Sequence, residues 1–299
     1  MSGFQVQDLG IASSIFIGLY VIFICVNFLN GGFVFTRLMM FTQVHSVLKI
    51  IGQIFGVVIA KNGFKPSMVA CYTVFNSLAI IPLIMAGYRF LFKSNGQIGP
   101  AEKINKIKNP RKHTFFLLLK IMVCVTTGAA VVCTIIGVAV IAKDNVLELD
   151  LNSSSYNASK ILRAIGQCFF LFQLSTTFIM TTYTISTNKN MDLTFSIITT
   201  FLISLILVVR GIYGVMGCFI DKMSIYTSTS SFVVYEYPMG VAMEYLAVFL
   251  SMWSYCCLLE GINLGHEEPF LTEEEVQRED SHSSIYSQKY TPQQAKGSF

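Results

Sequence analysis

The stretch Leu38–Ala60, LMMFTQVHSVLKIIGQIFGVVIA, decides the fold. It runs for 23 residues with His45 and Lys49 as its only ionisable side chains. At 1.5 Å per residue a helix of that length covers about 34 Å, enough to cross a hydrocarbon core of ~30 Å. The apolar residues are continuous rather than alternating, and a backbone in lipid must satisfy its own hydrogen bonds, so the stretch reads as a helix and not as a barrel strand. Six further blocks of the same kind flank it: Ile11–Leu29, Ser67–Phe92, Thr114–Ala142, Ile161–Ile185, Leu193–Met216 and Phe232–Leu259. The fold class is all-α, a polytopic seven-transmembrane-helix bundle over residues 1–265.

Composition agrees. Of 299 residues, 53% are hydrophobic and 13% charged, against roughly a quarter charged in a soluble domain. A soluble enzyme cannot hide that much apolar side chain. The net charge of +4 is too small and too scattered for a nucleic-acid binder, so none is expected among the partners.

Orientation follows from the connections. Lys93, Lys103, Lys106, Lys108, Arg111 and Lys112 crowd the third one, and dense Lys/Arg in a short loop marks the cytoplasmic side. Seven spans then put the N-terminus outside and the C-terminus in the cytoplasm, in the plasma membrane rather than an internal one. The segment before the first block carries Asp8 and no Lys or Arg, unlike a signal peptide. In the fourth connection Asn152 and Asn157 each begin an N-x-S glycosylation acceptor, which counts only on the exoplasmic face. Lys61, Lys65 and Lys222 run against this topology. From His266 the chain turns acidic, with seven acids against three bases up to Phe299. This reads as a disordered, Ser/Tyr-rich cytoplasmic tail.

Ionisable residues inside the spans are the informative ones, because each is costly in lipid unless paired or wetted. His45, Lys49 and Gln53 repeat every four residues beside Gly52 and Gly56, giving the second span one polar, small-residue face that should look into the bundle. Lys49 lies 11 residues from either end of its block, and Glu244 lies 12 residues into the seventh. These are depths of about 16 and 18 Å, which makes Lys49 and Glu244 the first candidate for a buried pair. Arg210 in the sixth span can meet Glu236 or reach Glu244. Arg163 opens the fifth span with Gln167 one turn later and has a stem long enough to snorkel outward. Lys120 can likewise extend to the headgroups. Such pairs either line a cavity or only fix helix register. Pro82 and Pro238 should kink the third and seventh helices.

No chemistry of the catalytic kind is visible. Only His45 of four histidines falls inside a span, so neither a zinc hydrolase site nor a haem site can be assembled, and no metal or other cofactor is expected. There is no phosphate-binding Gly-Lys-Ser/Thr loop, no G-x-S-x-G elbow and no intramembrane aspartate pair. The eight cysteines, seven of them in apolar blocks, give no C-x-x-C pair and no disulfide framework. The protein is not expected to be an enzyme.

Three stretches carry a resemblance. Ile80-Ile81-Pro82-Leu83 followed by Ala86-Gly87-Tyr88-Arg89, then Arg210-Gly211-Ile212-Tyr213, then Met243-Glu244-Tyr245 with Val248, resemble motifs in a group of fungal seven-helix membrane proteins. The group comprises a family with a domain of unknown function and the RTA-like lipid-translocating exporters, which share its layout. In those exporters the sixth-helix motif continues with a second Arg and a Glu. Here Gly214 and Met216 follow Tyr213, which favours the uncharacterised relatives. The resemblance implies a fungal origin, a seven-helix bundle, and a connection with movement of amphiphiles and resistance to membrane-active compounds.

The leading expectation is therefore a translocator or exporter of lipid-like molecules. Its partners would be membrane lipid and an amphiphilic small molecule, and its polar groups Lys49, Arg210 and Glu244, with His45, Gln53, Gln167, Arg163 and Glu236. Glu244 would receive a positive headgroup or a proton, and Arg210 would keep it charged or bind an anion. The alternatives are a seven-helix receptor with a phosphorylatable tail, which lacks Asn-Pro-x-x-Tyr and Asp/Glu-Arg-Tyr signatures, and a membrane scaffold. Ligand and oligomeric state are not legible.

Overall fold

The computed structural model describes residues 6–31, 37–95, 110–143, 154–187, 194–226 and 229–263. Its helices are α1 (Gln7–Gly31), α2 (Arg37–Asn62), α3 (Pro66–Leu78), α4 (Ile80–Ser94), α5 (Pro110–Lys143), α6 (Ser154–Thr187), α7 (Thr194–Phe219), α8 (Thr229–Glu236) and α9 (Ala242–Asn263). Among the described residues seven helical segments are long and apolar enough to cross a membrane. The fold is an all-helical membrane bundle. Backbone contacts divide the chain into Met1–Tyr255 and Cys256–Phe299. In the second unit only the end of α9 is described, and the acidic tail lies outside the described residues.

Two spans are interrupted, each at its proline. Pro82 has no N–H to give to the carbonyl of Leu78, and its ring crowds the preceding turn. The third span accordingly breaks at Ala79 into α3 and α4. Pro238 sits in a five-residue π-turn, Tyr237–Val241, which joins α8 to α9. The helix of the fifth span, α6, starts at Ser154, ahead of its apolar block. Asn157 is thus an exposed residue of a helix, and the Ser159 hydroxyl of its acceptor is buried, donating to the carbonyl of Gly137. Asn152 lies outside the described residues.

Neighbouring spans pack in chain order. α2 packs on α1, α3 and α4, α5 on α3 and α6, and α7 on α6. α8 returns to α1 while the π-turn touches α7, which closes the ring. Side chains such as Ile22, Leu29, Leu118, Val125 and Ile179 point outward, each more than half exposed. This is the expected outer surface when the solvent is lipid. Inside, Leu9, Ile59, Tyr72, Phe232 and Val241 belong to one apolar cluster, and Ile80, Leu83, Phe170, Leu207 and Ala247 to another. Along the third span Asn76 falls between the two, and along the seventh Glu244 does. A polar layer separates two dry ones.

Glycine sets how closely α5 and α6 approach. A methyl group on Gly166 would stand 2.5 Å from the Thr134 hydroxyl and 3.0 Å from the carbonyl of Ala130, whereas one on Gly128 would meet nothing within 4 Å. Gln173 adds an interhelical clasp, its Nε2 donating to Thr127 Oγ1 at 2.9 Å and to the carbonyl of Val123 at 3.2 Å. Gly166→Val should destabilise the purified protein by about 1–3 kcal/mol through overpacking, and Gly128→Ala should be neutral or slightly stabilising. Thermal unfolding of both variants in one detergent checks the contrast, and equal behaviour would remove the close approach as its cause.

Candidate functional site

The polar face of α2 supplies three fully buried side chains one turn apart, and each has a partner across the bundle. His45 Nδ1 donates to the carbonyl of Ala79 at 2.6 Å, at the break between α3 and α4. Its Nε2 then faces Glu244 Oε2 at 3.9 Å. Lys49 Nζ lies 2.7 Å from Glu244 Oε2 and donates to Asn76 Oδ1 at 3.1 Å. Gln53 Nε2 donates to the same Asn76 oxygen at 3.2 Å, and its Oε1 accepts from the Tyr237 hydroxyl at 2.9 Å. Tyr237 in turn meets Ser13 Oγ of α1 at 2.6 Å.

Glu244 uses its second oxygen on the opposite side. Oε1 lies 2.5 Å from Arg210 Nε, so of the two acids open to it Arg210 takes Glu244. One carboxylate thus joins cations from the second and sixth spans at zero exposure. Both oxygens are occupied by protein cations.

Glu236 reaches the same region by way of the π-turn. In a regular α-helix two residues eight apart lie about 80° from one another round the axis. One residue absorbed by a π-turn reduces that to about 20°. Glu236 and Glu244 therefore share a face, and the fields of both act on Arg210. Glu236 lies over Gly240, where an added methyl would stand 3.1 Å from its carboxyl carbon.

Beside this layer is a cavity of about 80 Å³, bordered by Arg163, Gln167, Arg210, Tyr213, Glu236 and the Met223–Tyr226 connection. Its size suits a few waters or a small ionic head and not an acyl chain. Gln167 lies against Gly214, next to Arg210. Arg163 does not snorkel. It is 6% exposed, with its guanidinium carbon 4.4 Å from the centre of the Tyr226 ring. The helix extends about two turns beyond Arg163 toward its N-terminus, which keeps the side chain below the surface. Enclosure raises the Tyr226 pKa above its ordinary range, against the lowering pull of Arg163. The ring therefore meets the guanidinium as a neutral aromatic face.

Residues 7–260 match the family described as Domain of unknown function (DUF7702). The chain belongs to the DUF7702 family. The match covers all seven spans and with them every residue of the polar layer and the cavity. No curated protein and no solved structure matches the chain.

For this DUF7702 chain the structure brings Lys49, His45, Gln53, Arg210 and Glu244 together, with Glu236 one step away, and sets Gln167 and Arg163 on the cavity wall. Lys120 is exposed on the bundle surface. Sequence reasoning passed over Asn76, the acceptor shared by Lys49 and Gln53, and Tyr237, which ties Gln53 to α1. An uncharged amide in the middle of an apolar block was the available signal for Asn76. Tyr237 gave none, since aromatics are common throughout these spans.

The geometry ranks the substitutions. Glu244→Gln strands two buried cations and should cost about 3 kcal/mol or more, while Lys49→Met leaves Glu244 still paired with Arg210 and should cost less. Melting temperatures of the two variants in lipid nanodiscs test this order, and a milder loss for Glu244→Gln would contradict the bridging geometry.

Proposed function

We propose that this protein is a non-enzymatic translocator of lipid-like, amphiphilic molecules that contributes to resistance against membrane-active compounds. The single observation that carries the reading is the cavity of about 80 Å³, edged by Arg163, Arg210 and Glu236, in a bundle whose outer surface is apolar. It takes a head and leaves the tail in lipid. A water-soluble substrate would call for a larger polar volume, and a pure scaffold has no use for a cavity edged with charge. The basic third connection and the acceptor asparagine Asn152 of the fourth support an exoplasmic N-terminus, a cytoplasmic tail and glycosylation outside. The likeness in layout to the RTA-like fungal exporters supports a fungal source, the plasma membrane and the same kind of cargo.

Within this reading the Lys49–Glu244–Arg210 bridge is a latch. The cavity shares Arg210 with it, so a bound head that draws on the Arg210 guanidinium competes with Glu244 and loosens the second, sixth and seventh spans from one another. The receptor alternative keeps support from the same coupling. The cavity reaches the end of the bundle where the sixth and seventh spans connect, and the π-turn offers a route from Glu236 to Glu244 without passage of the ligand.

The test is exchange between leaflets. In vesicles holding the purified protein, fluorescent single-chain amphiphiles should leave the labelled leaflet several-fold faster than in protein-free vesicles. Ser224→Trp, which fills the cavity mouth, should abolish most of that gain. Binding with no exchange in either preparation, together with ligand-dependent tail phosphorylation in cells, would favour the receptor.

A further inference from the structure

The buried charges do not balance. Among the described residues the buried cations are Lys49, Arg163 and Arg210 and the buried acids are Glu236 and Glu244, with His45 as the titratable remainder. Lys49 and Arg210 share Glu244, and the same two are the cations whose fields act on Glu236. Both acids are thus engaged by the other two cations. Arg163 is left over.

Among the described residues no carboxylate forms an ion pair with it. Arg163 Nε and Nη2 are buried without a hydrogen-bond partner among the described residues, and its guanidinium lies over the Tyr226 ring. A guanidinium has five donors in a fixed fork suited to planar or tetrahedral oxyanions. Leaving such a group buried and unmatched is costly in any protein and more so in lipid. One further polar atom on the same cavity wall also lacks a partner among the described residues, the Thr134 hydroxyl, on a residue 1% exposed. A hydroxyl donates as well as accepts, and a guanidinium only donates, so what the two can share is an acceptor carrying negative charge.

We propose that Arg163, with Thr134, forms a binding site for an anionic oxyacid group, a phosphate or carboxylate, held in the cavity against the guanidinium fork. This rests on the amphiphile reading above and narrows its substrate class to molecules with an acidic head. Glu236 borders the same cavity and repels an anion at its own end. The bound group therefore sits toward Arg163, and a head that also carries an ammonium can turn it to Glu236. Tyr226 stacks on the guanidinium and leaves its edge free for the ligand.

The test uses the full-length protein in nanodiscs with three probes: inorganic phosphate, a single-chain phosphate monoester lipid, and the matched uncharged glyceride. The wild type should bind the phosphate lipid at least ten-fold more tightly than the glyceride. Arg163→Gln should lose that preference, and Arg163→Lys should keep part of it. Thr134→Val, which removes a hydroxyl with no partner in the fold, should weaken the phosphate lipid several-fold without lowering the ligand-free melting temperature. Should Arg163→Gln fold poorly, this second variant still decides the question. Ligand-free Arg163→Gln should melt no lower than wild type, because an unmatched charge has been removed. Inorganic phosphate competing with the lipid marks the oxyanion itself as the recognised group, and a phosphate lipid that binds uncompeted marks a lipid head. Equal affinity for phosphate lipid and glyceride, or a preference that survives both variants, overturns the site. Leaflet exchange that persists with no anion preference would defeat the site and leave the translocator reading standing. Anion binding without exchange would do the reverse.

Discussion

One carboxylate between two cations organises this bundle. In water an ion pair of this kind is nearly neutral in free energy, because solvation competes with it. In hydrocarbon an isolated charge has no such alternative, and Lys49, Arg210 and Glu244 either meet or are excluded from the membrane. Their meeting fixes the facing sides of the second, sixth and seventh spans and sets their relative depth. The rest of the polar layer is built around that point: Asn76 holds Lys49 and Gln53 from the third span, His45 closes the break at Ala79, and Tyr237 carries the network to Ser13 of the first.

The two prolines acquire a purpose in this setting. The third span breaks at Ala79 ahead of Pro82, and His45 from the second span donates to the Ala79 carbonyl at that point. The π-turn at Pro238 turns Glu236 and Glu244 to one side of the seventh span, so that Arg210 feels both. Arg210 therefore belongs at once to the dry latch and to the wall of the cavity.

Much of this was legible in the primary structure, and the reason is depth. A span has a known rise per residue, so Lys49 and Glu244 could be matched from their distances to the block ends, and the four-residue spacing of His45, Lys49 and Gln53 defined a face. Rotation about the helix axis was harder to read. Arg210 had two acids within reach, and only the π-turn, which the sequence announces as a proline and nothing more, decides how they present themselves. Arg163 was misjudged because the helix of the fifth span, α6, continues past its apolar block to Ser154, so a residue read as the rim lies further in. Asn76 was missed because charge drew attention away from an amide. The cavity could not be foreseen at all, since it depends on how several helices pack and not on any one of them.

The central claim is that Glu244 carries its charge in the middle of the bundle, held there by Lys49 and Arg210. Infrared difference spectroscopy on the membrane-embedded protein, comparing wild type with Glu244→Gln at neutral pH, reads that state directly. The account predicts that the substitution removes the paired stretching bands of an ionised carboxylate. Loss of the carbonyl band of a protonated acid instead would contradict it.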